Sequence, residues 1–236
     1  MKVVILAGGY GTRLAEETKI KPKPLVKIGG KPIIWHIIKI YSHYGIKDFI
    51  ICLGYKGHLI KKELNKLNSN KIWNINYVNT GVKTMTGGRI KRVKKFISND
   101  KYFCLSYGDG LSDVNINKLI KFHIMAKKIA TLTAVRYKNP KGLLKIDQNS
   151  KIKIIKEKPL EHINGGFFVL SKDIFKYLKN DKTIFEKDTL PKLTKINQLM
   201  AFKHNGFWGC MDTFREKKEL NILWRSKERL WKVWND

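Results

Sequence analysis

Arg13, Lys23 and Asp109 are the charged residues whose neighbours suggest a chemistry. Arg13 ends the run LAGGYGTR, in which Gly8, Gly9 and Gly11 let backbone amides approach an anion and Thr12 adds a hydroxyl donor. Lys23 lies between Pro22 and Pro24, whose fixed φ makes a stiff strut of the segment. A guanidinium fork and an ammonium beside a glycine loop suit a polyphosphate. Asp109 in YGDG ends a strand-like run, where a carboxylate can reach the crevice, although an Asp beside Gly is ordinarily a turn residue. The loop is neither a P-loop, because the G-x-x-x-x-G-K-[ST] spacing is absent, nor a dinucleotide fingerprint, because Leu14 stands at the third glycine position. GGxG alone is an ordinary turn. GGxGTR directly after an apolar strand, with PKP ten residues later, is much more specific.

These residues need elements to hold them, and the apolar pattern supplies them. KVVIL (2–6) reads as a buried strand, so the glycine loop leaves a strand tip, where open α/β sheets bind their ligands. A helix over 32–45 has Pro at its start and Gly45 past its end. Strands are predicted at 48–53, 72–78, 102–107 and 130–137, with helices near 57–67, 86–97 and 114–127 between them, the last capped by Asp113. The second half reads as a hairpin over 142–157, a strand at 166–170, helical structure near 173–195 broken by Pro191, a strand near 199–204 and a helix from 213 to about 226. The alternation predicts an α/β fold, a doubly wound, mostly parallel Rossmann-like sheet with an elaborated C-terminal half. No linker, repeat or low-complexity tract divides residues 1–236, so one domain is expected.

Composition narrows the classes. No apolar run approaches the ~18 residues of a membrane span, and the N-terminus runs straight into the glycine loop rather than a signal peptide. Membrane insertion is therefore not expected. Cys52, Cys104 and Cys210 are odd in number and scattered, as reduced thiols of a cytoplasmic protein are. The net charge of +29 invites a nucleic-acid reading, but only seven of the 48 basic residues are Arg, the side chain favoured for reading phosphates and base edges. Lys, Ile and Asn are enriched together, as a coding bias would produce, so a solvated Lys-rich surface without specific nucleic-acid binding is expected. The six histidines show no zinc-ligand spacing. Trp224, Trp231 and Trp234 suggest packing of the C-terminal tail or of a subunit contact, which leaves a homo-oligomer open.

LAGGYGTRL…KPKPLVKIGGKPI resembles the signature of the sugar-nucleotide pyrophosphorylases, nucleotidyltransferases that load sugar 1-phosphates onto nucleoside triphosphates. The likeness continues through TMTGGRIKRV, SYGDG, EKP, NGGFFVL, GFWGCMDT and WKVW, over nearly the whole chain. TGGR, NGGFF and MDT resemble most closely the branch that joins CTP to glucose 1-phosphate. The segment from about 62 to 79 is shorter than that family usually carries. The resemblance implies a nucleotide-diphospho-sugar transferase fold, with residues 1–137 as the nucleotide half and 138–236 as the sugar-phosphate half. It implies that Leu6, Ala7, Gly8, Gly9, Tyr10, Gly11, Thr12, Arg13, Lys23, Gly108 and Asp109 bind the nucleotide, with Thr84, Thr86, Gly87 and Arg89 in the base-binding loop. Gly142, Glu157, Lys158, Asn164 and Gly165 then take the sugar phosphate. Arg13, Lys23, Asp109, Lys158 and Asp212 are the expected catalytic set, with Asp109 and Asp212 on Mg²⁺. The activity implied is cytidylyl transfer from CTP to glucose 1-phosphate, serving deoxysugar and surface-polysaccharide synthesis of the lipopolysaccharide type. UTP, dTTP or another sugar 1-phosphate fits the same residues. A class apart is an inactive, basic protein that binds nucleic acid or a membrane surface.

Overall fold

VVIL is apolar throughout because the strand it forms, β1 (Val3–Leu6), is covered on both faces. Val3 and Ile5 pack into one core and Val4 into a second, as the alternation of a strand requires. The computed structural model describes residues 1–97, 99–138, 142–157, 160–226 and 228–235. After β1, a 3-10 turn at Thr12–Leu14 leads into α1 (Ala15–Thr18). A second 3-10 turn at Lys23–Leu25 precedes the small antiparallel pair β2 (Lys27–Ile28) and β3 (Lys31–Pro32). Next come α2 (Ile33–His43), β4 (Asp48–Leu53), α3 (Gly57–Leu67), β5 (Asn74–Asn79) and α4 (Thr86–Arg92). β6 (Tyr102–Tyr107), β7 (Gly110–Ser112), α5 (Ile116–Ala126) and β8 (Ala130–Lys138) complete the first half. The second half contains the hairpin β9 (Leu143–Ile146) and β10 (Ile152–Lys156), then β11 (Leu160–Ser171) and α6 (Leu190–Lys195). β12 (Leu199–His204), β13 (Trp208–Cys210) and α7 (Phe214–Arg225) close it.

The main sheet has seven strands in the order β12-β8-β11-β6-β1-β4-β5. All run parallel except β11, which is antiparallel to both β6 and β8. The mostly parallel, doubly wound expectation is met, with one reversed strand that comes from the second half and sits between two strands of the first. β11 is also longer than GFFVL, because its polar beginning, LEHIN, pairs with β8 before the strand enters the core.

Three local expectations are corrected. The helix expected over 86–97 ends at Arg92 and tightens into a 3-10 turn at Lys94–Phe96. Ile90, Val93 and Ile97 still share the second core. Asp113 does not cap α5. Asn115 does, its Oδ1 accepting from Lys118 N–H at 2.9 Å, while Asp113 accepts from His204 Nε2 at 2.8 Å. Pro191 is the second residue of α6 rather than a break in a helix, since a first-turn proline has no intrahelical hydrogen bond to lose. The region before it is a 3-10 turn at Lys172–Tyr177 and a π-helical turn at Phe185–Thr189.

The tail folds back on α2. Trp231 is fully buried, and its indole N–H donates to His36 Nδ1 at 3.3 Å. Trp224 and Trp234 also flank His36, with ring centroids 4.7 and 6.0 Å away. The tryptophans therefore pack the tail.

Candidate active site

Leu6 and Tyr107 are register partners at the C-terminal tips of β1 and β6. The glycine loop leaving one tip and Gly108-Asp109 leaving the other therefore open onto the same crevice. This is the position between diverging chain connections where doubly wound sheets hold ligands. The cleft encloses about 620 Å³. Residues 6–13, Lys23, Thr84, Thr86, Arg89, Gly108 and Asp109 line it, together with Pro24, Tyr107 and Glu186 among others.

The loop keeps its shape through main-chain geometry and one buried cation. Gly11 has φ +69°, a conformation costly for any residue with a Cβ. At Gly8 an added Cβ would stand 2.1 Å from Arg89 Nη1. Arg89 is 4% exposed. Its Nη2 donates to the carbonyls of Gly8 (2.9 Å) and Val82 (3.3 Å), and its Nη1 to Thr80 Oγ1 and the Gly81 carbonyl (both 2.7 Å). A further bond at 3.3 Å reaches the Leu53 carbonyl. Arg89 thus ties the glycine loop, the tip of β4 and the 80–82 turn together, and both its η nitrogens are committed to the protein. Gly87 is absent from the cleft lining. It packs on Thr183, whose Cγ2 would lie 2.7 Å from an added Cβ.

Asp109 and Asp212, 103 residues apart in sequence, meet because β7 and β13 pair as an antiparallel ribbon. Asp109 immediately precedes β7, and Asp212 follows β13 by one residue; the Met211 N–H donates to the Asp109 carbonyl at 3.0 Å. Lys23 Nζ bridges the two carboxylates, donating to Asp109 Oδ2 at 2.5 Å and to Asp212 Oδ1. Arg13 Nη1 donates to the other Asp212 oxygen at 2.5 Å. Burial opposes the charge on Lys23, but attraction to Asp109 and bonds to both carboxylates outweigh it, so its pKa is raised and it stays an ammonium. Glu216 fixes the Asp212 turn through a capping box on α7: its Oε2 accepts from Asp212 N–H (2.8 Å) and Thr213 N–H (2.7 Å). The T-x-x-E spacing of Thr213 and Glu216 carries that signal in the sequence.

The sugar-phosphate residues are placed differently. Gly142 and Glu157 face each other at the base of the β9–β10 hairpin, where a Cβ on Gly142 would be 3.3 Å from Glu157 Oε1. Neither lines the cleft. Lys158 lies outside the described residues. Asn164 reaches towards the cleft through Tyr107, its Nδ2 donating to the tyrosine oxygen at 3.2 Å. Gly165 is buried, its carbonyl taken by Trp208 Nε1 at 2.8 Å, and an added Cβ would be 2.7 Å from Val135 Cγ1. Tyr107 and Glu186 line the cleft without having been singled out by motif. Tyr107 lies inside SYGDG, whereas Glu186 belongs to no recognisable pattern in the sequence.

The nucleotidyl transferase family matches residues 2–236. A glucose-1-phosphate cytidylyltransferase of Salmonella typhi is 46% identical, the match covering 99% of this chain and 100% of the relative. A probable glucose-1-phosphate cytidylyltransferase of Bacillus subtilis is 41% identical over the same shares of the two chains. Among solved structures, HddC from Yersinia pseudotuberculosis complexed with GMP-PN superposes with a TM-score of 0.77 at 27% identity, covering 95% of this chain and 99% of that one.

Proposed function

Because the chain belongs to the nucleotidyl transferase family, we propose that it transfers the cytidylyl group of CTP to α-D-glucose 1-phosphate, yielding CDP-glucose and pyrophosphate. The choice of substrates rests on the relatives named for that activity. The reaction class rests on one observation: Lys23 held between Asp109 and Asp212, with Arg13 on the same carboxylate, at the mouth of a glycine-loop cleft.

An oxygen of glucose 1-phosphate forms a bond to the α-phosphorus, and the bond from that phosphorus to the bridging oxygen of pyrophosphate breaks. The nucleophile is already anionic near neutral pH and needs no base, so positioning and charge stabilisation carry the acceleration. The glycine loop gives its free amides to the triphosphate. Arg13 is 73% exposed in its side chain and is free to swing from Asp212 onto the departing pyrophosphate. Lys23, held on its proline-flanked turn, turns from the carboxylates to the α-phosphate or the sugar phosphate. Lys158 and Glu157, in EKP, are assigned to the 1-phosphate and the sugar hydroxyls, and Asn164 to the same substrate; Thr84 and Thr86 are assigned to the base. Arg89 shapes that loop from below.

Two carboxylates that converge on one ammonium mark a spot where a cation is electrostatically favoured, and their oxygen-only donor set suits Mg²⁺. Asp109 and Asp212 would hold it, and when bound it screens the charge of the triphosphate. We place the activity in the cytoplasm, supplying a sugar nucleotide for deoxysugar and surface-polysaccharide synthesis. Among the described residues, no helix is long and apolar enough to cross a membrane.

Labelled CTP tests the reaction type. With glucose 1-phosphate present, label at the α-phosphorus should appear in the sugar nucleotide and label at the γ-phosphorus in pyrophosphate. Label from the γ position on the sugar would mean kinase chemistry and overturn the assignment.

A further inference from the structure

A chain of hydrogen bonds links the two subsites assigned above through Tyr107 and Glu186, which the transfer chemistry leaves without a role. Glu186 is its centre, with Oε1 accepting from the Tyr107 hydroxyl at 2.5 Å and Oε2 from the Thr86 hydroxyl at 2.7 Å. Thr86 Oγ1 also accepts from the Phe185 N–H at 2.9 Å, so its one proton is committed to Glu186. On the other side, the Tyr107 oxygen accepts from Asn164 Nδ2 at 3.2 Å, and Asn164 Oδ1 accepts from the Gly166 N–H at 2.9 Å. Each donor in the chain has one direction.

Its two ends lie in different parts of the site. Thr86 opens α4, on the nucleotide side. Asn164 lies in β11, where the register with β8 breaks between Asn164 and Phe168, on the side assigned to the sugar phosphate. Glu186 sits on the π-helical turn Phe185–Thr189, a geometry that recurs at functional sites because it re-aims one side chain. In a chain of net charge +29, this carboxylate is held by two hydroxyls. Burial, and then the charge of Glu186, push the Tyr107 phenol far up, so it remains a donor at every working pH. Satisfied networks of this kind act as units rather than as independent pairs.

We propose that Thr86, Glu186, Tyr107 and Asn164 form a positioning chain that makes nucleotide binding and sugar-phosphate binding interdependent, with Glu186 as its central positioning residue. The proposal rests on the assignment of the two subsites given above. A nucleotide that orders Thr86 fixes Glu186 and Tyr107, and so presents Asn164 to the sugar phosphate already set. By linkage the sugar phosphate does the same for the nucleotide.

The test is a kinetic grid in which both substrates are varied, run with whichever nucleotide and sugar 1-phosphate the protein turns over best. A best pair other than CTP and glucose 1-phosphate would overturn the substrate assignment, while the coupling is still measured on that pair. In the wild-type protein each substrate should tighten the other by a factor on the order of 5 to 100. Tyr107→Phe, which removes a single oxygen, should bring that factor close to one and raise both KM values. Glu186→Ala should do the same, and the double variant should be no worse than either single one. Glu186→Gln keeps an acceptor for only one of the two donating hydroxyls and sets an amide N–H against the other, so it should recover only part of the coupling. A merely structural role would lower Tm and the active fraction but leave KM and the coupling at wild-type values. That result overturns the proposal, as does a wild-type factor of one or a change in only one KM.

Discussion

Arg13 and Arg89 show how differently two cations of one site act. Arg13 is exposed and makes a single ion pair, so Arg13→Ala should shift Tm by no more than about 4 °C, exposed pairs contributing roughly 0–1 kcal/mol. Its kcat should nonetheless fall by roughly a hundredfold, because charge on the leaving pyrophosphate loses its partner. Arg89→Lys should do the reverse in part. A lysine cannot span the five acceptors that the guanidinium η nitrogens now reach, and each buried carbonyl left unpaired costs about 1–3 kcal/mol. Thermal unfolding should show a clear drop in Tm, with a rise in the nucleotide KM as the loop loosens. An unchanged Tm in Arg89→Lys would remove the clamp from the account. Arg13, Lys23, Asp109 and Asp212 could be singled out in the sequence because each stands in a motif of the family resemblance, and the fold brings the four together. Glu186 could not be, since its role comes from a helical irregularity that no local pattern announces. Arg89 lines the cleft, but burial turns its fork onto main-chain carbonyls, which no local pattern announces.

At the scale of elements, the packing of the tail against α2 has a pH signature. The indole N–H of Trp231 can only donate, so His36 Nδ1 accepts and Nε2–H donates to the Ile28 carbonyl at 2.9 Å. The ring is therefore neutral, and burial depresses its pKa to about 4. His123, on the buried face of α5, is depressed to about 4 in the same way. Unfolded histidines titrate near 6.5, so between that value and about 4 the unfolded chain binds more protons than the native one. Stability contributed by both rings is complete above pH 6.5 and is lost as the pH falls towards 4. Urea midpoints should decline between pH 6.5 and 5, above most carboxylate titration, by an amount worth up to a few kcal/mol. His36→Gln, which keeps one donor and one acceptor, should flatten that decline. Equal slopes in both proteins would deny His36 its part. The elements themselves were largely legible: periodicity located β1, α2, β4 and β6, and Pro32 and Gly45 marked the ends of α2. Tertiary pairing located what periodicity did not. β7 and β13 are three residues each and form only because they meet, yet they bring Asp109 to Asp212.

At the scale of the molecule, the two halves are not separable, since β11 from the second lies between β6 and β8 of the first. That interleaving gives the shared-cation assignment a direct consequence. Asp109→Asn and Asp212→Asn should each lower activity by several orders of magnitude, and the double variant should be little worse, because residues serving one function are non-additive. Chelator should abolish turnover and added Mg²⁺ restore it; multiplicative losses in the double variant would show that the carboxylates do not share an ion. The central claim is the identity of the reaction, and pyrophosphate release from every nucleoside triphosphate crossed with every common sugar 1-phosphate tests it most directly. The account predicts that CTP with glucose 1-phosphate gives the highest kcat/KM in that matrix. A higher value for UTP or dTTP, or for another sugar 1-phosphate, would contradict the assignment, and no release from any pair would contradict the enzyme itself.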